Sequence, residues 1–359
     1  MARAHEGFLQ RLTNALRDAF ASLFTLRPAP APRWPIGLQA SLAMALPIVL
    51  ATLAGRPEIG YQAATGAFAA LYASNRAAVD RVKVVPLVGA GLFAAALAGV
   101  WAGPSPVLTI VGLALVTLAA SAAAFGFSLG APGPLFAVLV FGLSAHVSNV
   151  GAPAGVYLAA MAAGILLSIL IVAAPLVLPS RRRMPRHALR ELLPGPSWPT
   201  PTRMLFFRAA IVALAGTAIG IFVDPDRVYW IVGAAIAVIG TAPERQAAFD
   251  RGLHRMVGTV LGAGLYLLVA PVPITGLALA LLLGVLQFAI EVVVVRNYAL
   301  ALTFITPLVL LLTSAATGVS GSIEVASERI IDTLVGASLG AATGLLHARA
   351  SRRSDDRRD

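Results

Sequence analysis

The sequence predicts an all-α membrane protein of about 12 transmembrane helices, built as two parallel six-helix repeats. Three observations lead to this fold class. Apolar residues make up 58% of the 359 residues and charged residues only 12%, whereas a soluble domain averages about 25% charged residues. Long apolar segments recur along the whole chain. Two short charged motifs, Ala77–Arg81 and Ala247–Arg251, are nearly alike and lie at equivalent places in the two halves.

Residues 1–35 are predicted to be a cytoplasmic N-terminal segment that carries an amphipathic helix. Its large apolar residues recur every four positions, which is typical of a one-sided helix; they are Phe8, Leu12, Leu16, Phe20 and Phe24. No uninterrupted apolar core or cleavage site follows, so we do not expect a secretory signal. The helix is expected to lie in the membrane interface. The alternative is that this helix packs against a partner chain, such as a second copy of the protein in a homo-oligomer.

Apolar segments separated by proline, glycine or charge give twelve predicted spans. Helices are expected because every backbone polar group inside a bilayer must find a partner within its own segment. In the first half the spans are 36–54, 59–74, 84–102, 106–125, 132–147 and 155–178. In the second half they are 205–223, 228–242, 254–270, 273–293, 297–314 and 323–347.

The spans divide the chain into two membrane repeats with short connections. The first repeat is 36–178, and the second repeat is 205–347. Residues 179–204 form an Arg- and Pro-rich cytoplasmic linker, and 348–359 form a cytoplasmic tail. Because six is even, both repeats enter the membrane in the same direction, and a pseudo-twofold axis should run along the membrane normal.

The distribution of basic residues predicts the orientation. Arg56 and Arg227 fall in the intervening loops and Arg329 inside the last span, whereas the other 24 lysines and arginines fall in alternate loops, in the linker or near the termini. The positive-inside rule places these segments, and both termini, in the cytoplasm. This pattern explains the net charge of +11 without a nucleic-acid partner.

Enzyme and metal chemistry find no support in the sequence. There are no cysteines, and the five histidines are scattered without ligand spacing. No nucleophile elbow or phosphate-binding motif is present. We therefore predict neither a metal, nor a cofactor, nor a catalytic residue.

The short second and eighth spans begin with similar aromatic residues, Tyr61 and the pair Tyr229 and Trp230. Paired short segments at corresponding positions point to a substrate site in repeat transporters. Aromatic anchoring at the membrane interface is the alternative.

Arg251, Arg255 and Thr259 lie at the start of the ninth span, beside Gly258 and Gly262. Guanidinium groups and the backbone amides at a helix N-terminus would together suit a bound anion. Positive-inside topology with tight packing explains the same residues equally well.

Ionisable residues inside the spans are candidates for function because their burial is costly. Glu328 and Asp332 share one face of the last helix, and Arg329 is predicted to neutralise Asp332 as an ion pair. Proton coupling at Asp332 is the alternative. Glu291 in the tenth span is another coupling candidate, unless it pairs with Arg296 or a linker arginine.

Several of these motifs resemble the fusaric-acid-resistance-like family, which is grouped with aromatic acid exporters and is distantly similar to plant malate channels. They are Tyr229-Trp230, Arg255-x-x-Gly258-Thr259-x-x-Gly262, Asn297-Tyr298-Ala-Leu-Ala and Arg329-x-x-Asp332-Thr333-x-x-Gly336. In the first half the resemblance is weak, since only Arg81 is retained there. The resemblance implies an inner-membrane exporter of small organic, including aromatic, acids, with a pathway between the two repeats.

The leading hypothesis is therefore a transporter that uses basic residues for the carboxylate and aromatic residues for the organic body. The predicted pathway residues are Arg81, Arg251, Arg255, Arg329, Tyr61, Tyr229, Trp230, Thr259 and Tyr298. The predicted proton-coupling candidates are Asp332, Glu328 and Glu291. A passive anion channel of the same architecture is the second hypothesis, and a membrane scaffold without flux is the third.

Overall fold

The computed structural model describes residues 2–29, 31–151, 153–317 and 322–346, and the side chains of all of these except 2–12 and 317. Throughout these ranges the regular structure is helical, with no strand. The predicted tail, 348–359, and the side chains of Phe8 and Leu12 lie outside the described residues.

Sixteen α-helices are numbered here in chain order. The first half has α1 (Ala2–Leu23), α2 (Trp34–Leu53), α3 (Pro57–Ala64), α4 (Ala78–Ala102), α5 (Pro106–Gly126), α6 (Leu135–Asn149) and α7 (Ala154–Ala173). The linker has α8 (Pro179–Arg182) and α9 (Leu189–Leu192). The second half has α10 (Thr200–Ile211), α11 (Thr217–Val223), α12 (Val228–Ile239), α13 (Arg245–Val269), α14 (Gly276–Val293), α15 (Tyr298–Thr317) and α16 (Ile323–Thr343).

The protein is a multi-pass membrane protein. Among the described residues, nine helical segments are long and apolar enough to cross a membrane. Two further apolar helices, α6 and α12, are shorter, and α3 continues as a 3-10 helix over Thr65–Leu71. A π-helical turn, Val212–Gly216, joins α10 to α11. The second and eighth segments are short, as the sequence predicts.

Two long helices begin before the predicted membrane spans that they contain. The charged motifs Ala77–Arg81 and Ala247–Arg251 were expected in loops before spans that begin at 84 and 254. Instead, α4 begins at Ala78 and α13 at Arg245, so almost all of both motifs is helical. Hydropathy marks only the part of a helix that lies in hydrocarbon, whereas alanine-rich sequence continues the helix beyond it.

The same set of neighbouring helices occurs in both halves. In the first half α2 contacts α3, α3 contacts α7, α4 contacts α6 and α7, and α5 contacts α6. In the second half α11 contacts α12, α12 contacts α16, α13 contacts α15 and α16, and α14 contacts α15. Glycines allow the equivalent approaches of α7 to α3 and of α16 to α12. A methyl group on Gly164 would overlap the Ala63 carbonyl, and one on Gly336 would overlap that of Ile231.

Contacts between the halves are also paired. Helix α2 lies along α14, and α5 lies against α10. The short segments α3 and α12 contact α15 and α6, respectively. The second and eighth segments therefore also contact the other half, as α2 and α5 do.

The N-terminal segment and the linker pack at one end of the helices, called here the linker end. Helix α1 contacts α13, where Ser22 Oγ lies 2.8 Å from His254 Nε2. The Asn297 amide donates to the carbonyl of Leu23 over 2.7 Å. The linker is joined to α4 by His187, whose Nδ1 lies 2.6 Å from Asp80 Oδ2.

Candidate functional site

A buried cluster of charged and aromatic residues lies among α12, α13 and α16. Arg329 and Asp332, both on α16, are 4% and 0% exposed. The Arg329 guanidinium lies over the Trp230 ring of α12, with 4.1 Å between Cζ and the ring centroid. A cation over an indole face is an attractive contact that strengthens as water is excluded.

Asp332 is paired with Arg227 rather than with Arg329, so the predicted Arg329–Asp332 ion pair is wrong. Arg227 Nε lies 3.5 Å from Asp332 Oδ2, and the same guanidinium also contacts Glu328 and Asp224. Side chains on a helix lean toward its N-terminus, so the short Asp332 side chain leans toward Arg227, the residue before α12. Arg329 is engaged by Trp230 instead.

Arg255 adds a second buried cation from α13. It is 3% exposed, and its Nη1 donates to the Tyr298 hydroxyl over 2.9 Å. Its charge is close enough to act on Arg329. Two guanidinium groups and two aromatic residues, Trp230 and Tyr298, therefore share one region of the second half.

Several hydrogen-bonding groups of this cluster have no partner among the described residues. These are Arg255 Nε, Arg329 Nε and Nη1, and both carboxylate oxygens of Asp332, which has only the longer ion-pair contact with Arg227. Unpaired buried donors carry a desolvation cost that an anionic partner would offset. The cluster thus has free donors suited to an oxyanion.

Packing explains the glycines of the same motif. A methyl group on Gly258 would overlap the Ala299 carbonyl, and one on Gly262 would come within 2.7 Å of Thr306 Cβ. These glycines let α13 and α15 approach closely. Thr259, between them, is buried.

Tyr61 and Tyr229 lie at contacts between the halves and not at one common position. The Tyr61 hydroxyl accepts a hydrogen bond of 2.9 Å from the Gly276 amide, at the start of α14. Tyr229 lies against Gly142 of α6, where a methyl group would overlap its ring. Tyr229 therefore connects the buried cluster to the interface with the first half.

Arg81 and Arg251 lie at the linker end, away from the contacts of Arg329, and each donates to the end of a short helical segment. Arg81 Nη2 donates to the Ala70 carbonyl over 2.5 Å, and Arg251 Nη1 to the Ile239 carbonyl over 3.4 Å. Positive groups are favoured there because the last carbonyls of a helix are partly negative. Arg81 also contacts the side-chain oxygen of Gln39.

Glu291 is buried and forms its ion pair with Arg33. Arg33 Nη2 lies 3.1 Å from Glu291 Oε2, so the predicted partners, Arg296 or a linker arginine, are wrong. Arg33 stands directly before α2, and α2 runs along α14, so the approach depends on long-range packing. Glu328 has its ion pair with Arg227, as described above.

The sequence predicted the central charged residues of the site but not the residues that pair with them. Arg227 was assigned to an external loop, and Arg33 and Arg208 were counted only as topological charges. The sequence does contain a signal for Arg227. It is a basic residue in a predicted external loop, on the side of the membrane where the predicted last span, which holds Asp332, begins. Among the described residues, no cluster of His, Asp and Glu side chains could hold a metal ion.

The second half matches a known family, and the match covers the cluster. Residues 209–343 match the family model described as Fusaric acid resistance protein-like. The second half is therefore similar to this family. The predicted resemblance is thereby confirmed for the half that holds Arg255, Arg329 and Asp332.

The chain is also similar to a curated protein, the uncharacterized membrane protein YvaC of Bacillus subtilis (strain 168). It is 31% identical over 166 residues, which cover 45% of this chain and 25% of YvaC. The chain thus spans about a quarter of the length of the curated relative that it matches. No solved structure matches the chain.

Proposed function

We propose that the protein transports small organic anions across the cell inner membrane and catalyses no chemical reaction. The observation that carries this proposal is the pair of buried guanidinium groups, Arg255 and Arg329, with unpartnered donors inside the helical bundle. An isolated buried cation is costly, and a carboxylate between the two would offset that cost. The match of residues 209–343 to the fusaric acid resistance protein-like family supports a transport role.

The substrate class follows from the neighbours of the two arginines. Trp230 and Tyr298 supply flat apolar surface beside the donors. A carboxylate attached to a small aromatic body would use both kinds of group. We therefore propose aromatic and other small organic acids as substrates, with export as the direction.

We propose that the architecture is two parallel six-helix repeats of twelve spans in all, with the linker end and both termini in the cytoplasm. The recurring helix contacts in the two halves support the duplication. The basic residues concentrated at the linker end support the orientation. Tyr229, between the cluster and α6, supports a pathway along the interface of the repeats.

The N-terminal helix fits a position in the membrane interface. Ala15 and Ala19 are buried, whereas Leu16, Phe20 and Phe24 are 50%, 58% and 78% exposed. A helix with small residues toward the protein and large apolar residues outward can insert the latter among lipids.

Asp332 is the proposed proton-coupling group. An incoming anion would add negative charge beside Asp332, Glu328 and Asp224, which together face one ion-paired arginine, Arg227. Protonation of Asp332 would offset the added charge. Glu291 is less suited because its own arginine, Arg33, lies 3.1 Å away.

The test is growth of an efflux-deficient strain on a panel of aromatic and aliphatic acids. The wild-type protein should raise tolerance to at least one acid, and Arg255→Ala should abolish the gain. Arg56→Ala, at an exposed arginine, is the control and should behave as wild type. If no acid distinguishes the wild type from the empty vector, the exporter proposal fails and a scaffold without flux is favoured.

A passive anion channel is the second candidate, because a buried basic cluster also suits a selective pore. The Asp332→Asn variant distinguishes a passive channel from a proton-coupled carrier. A proton-coupled carrier should lose uphill transport in this variant and retain binding. A channel should retain flux down the anion gradient.

A further inference from the structure

Arg208 of α10 is a fully buried arginine that the proposed transport site does not use. It is 0% exposed. Its Nε donates to Thr343 Oγ1 over 3.1 Å, and its Nη1 donates to the Pro243 carbonyl over 3.2 Å. Its third nitrogen, Nη2, is buried without a hydrogen-bond partner among the described residues. The guanidinium is therefore fixed at two nitrogens and free at one.

Arg251 brings a second positive charge to the same place. Its guanidinium donates to the Ile239 carbonyl beside Gly240, and Arg208 donates to the Pro243 carbonyl at the other side of the same turn. Gly240 has a φ of +56°, and a Cβ there would overlap the Arg251 guanidinium, so this turn needs glycine. In the described part of the chain, neither arginine has an ion pair with a carboxylate. Two cations thus border one turn, and neither is neutralised by an ion pair with a described carboxylate.

In the first half, both terminal nitrogens of the equivalent arginine, Arg81, have protein acceptors, although its Nε has none within the described ranges. About 170 residues separate Arg81 from Arg251, and nearly the same spacing separates Gln39 from Arg208. Arg81 contacts the side-chain oxygen of Gln39 and the Ala70 carbonyl. The charge of Glu291 also acts on Arg81. In the second half Arg208 stands at the position equivalent to Gln39. The hydrogen-bond acceptor of the first half is therefore replaced by a second guanidinium group, which can only donate.

We propose that an oxyanion, carboxylate or phosphate, binds between Arg208 and Arg251 at the linker end. The oxyanion would take the place that the Gln39 oxygen has in the first half. It would accept from Arg208 Nη2 and neutralise both guanidinium groups, as charge-assisted hydrogen bonds do. Arg251 is only partly buried, which leaves a way in from the linker end. The proposal concerns binding alone and does not depend on transport of an organic acid.

Capping of α12 does not by itself explain this pair. Arg251 contacts the end of α12 as Arg81 contacts the end of the 3-10 segment at Ala70. One cation therefore performs the capping in each half. The additional buried charge of Arg208 is unfavourable beside Arg251, unless an anion offsets it.

The experiment measures the thermal unfolding midpoint of the full-length protein in nanodiscs as inorganic phosphate is added. Wild type, Arg208→Gln and Arg203→Gln are compared in phosphatidylcholine alone. Arg203 is an exposed arginine on the same helix, so its variant controls for the loss of one charge. Wild type and Arg203→Gln should be stabilised with saturation. Arg208→Gln, which restores the first-half pairing, should start at a higher midpoint and not respond.

A second lipid distinguishes the source of the oxyanion. If a headgroup is the ligand, replacing part of the phosphatidylcholine by phosphatidylglycerol should raise the wild-type midpoint without phosphate, and should not raise that of Arg208→Gln. If a free anion is the ligand, the lipid change should have the same effect on both proteins, and only phosphate should separate them. An Arg208→Gln protein that responds as wild type to both phosphate and lipid overturns the proposal.

Two further variants keep the test decisive. Should Arg208→Gln fail to fold, Arg208→Lys retains a charge without the planar fork and should raise the phosphate dissociation constant about tenfold. An unchanged constant overturns the proposal. Arg329→Gln should retain the phosphate response, which separates this site from the proposed transport site.

Discussion

The guanidinium of Arg329 lies over the indole ring of Trp230, 4.1 Å from Cζ to the ring centroid. This contact joins α16 to α12 inside the second half. It also holds Arg329 without an ion pair to Asp332, although the two residues are three apart on one helix. The charge of Arg329 therefore remains available for a ligand.

Replacing Trp230 tests this contact. Trp230→Leu removes the π face, and a cation–π contact in a desolvated site is worth about 2 kcal/mol. We expect labelled benzoate to bind about tenfold more weakly or worse, because Arg329 can then turn toward Asp332. Trp230→Phe retains a ring and should lose less. Equal binding by the leucine and phenylalanine variants would show that the ring is not used.

Arg227 and Asp332 are predicted to stabilise the N-terminal half of α16 as a pair. Arg227→Gln leaves the buried Asp332 carboxylate without its ion-pair partner, which costs roughly 3 kcal/mol. The double variant Arg227→Gln/Asp332→Asn should recover part of this loss, as measured by chemical denaturation in detergent. Strictly additive losses would contradict the pairing.

Close helix packing predicts opposite outcomes at two glycines. Gly336→Ala places a methyl group on the Ile231 carbonyl of α12 and should destabilise the protein by about 2 kcal/mol. Gly264→Ala is the control, because no atom lies within 4 Å of the added methyl group. It should be neutral or slightly stabilising, since alanine favours helix. Similar thermal midpoints for the two variants would contradict the packing.

Much of the fold could be predicted because hydropathy and repetition are local signals. The membrane-spanning helices, the short second and eighth segments and the motif around Arg255 all follow from the order of residues. The helix starts at Ala78 and Arg245 could not be predicted in this way, because charged turns of a helix outside hydrocarbon resemble loops in a hydropathy profile.

The partners of the charged residues were the least predictable part of the site. The pairs Arg227–Asp332 and Arg33–Glu291 join residues far apart in sequence. Which charges meet depends on how α12 lies on α16 and how α2 lies on α14. Nearness in sequence suggested Arg329 and Arg296 instead, and both suggestions were wrong.

The orientation can be tested directly because the chain has no cysteine. Ser197→Cys lies in the exposed linker, and Asp226→Cys lies in an exposed loop at the opposite end. In intact spheroplasts a membrane-impermeant maleimide should label Asp226→Cys and should label Ser197→Cys only after permeabilisation. The reverse pattern would place the linker outside the cell.

The most direct test of the proposed anion site is equilibrium binding of labelled benzoate to the purified protein and to Arg329→Gln. Loss of a charge-assisted contact of about 2 kcal/mol should weaken binding about 30-fold, and Arg255→Gln should show a similar loss. Arg56→Gln, at an exposed arginine, should bind as wild type does. Unchanged affinity in both the Arg329 and Arg255 variants, with saturable wild-type binding, would contradict an anion site between these two arginines.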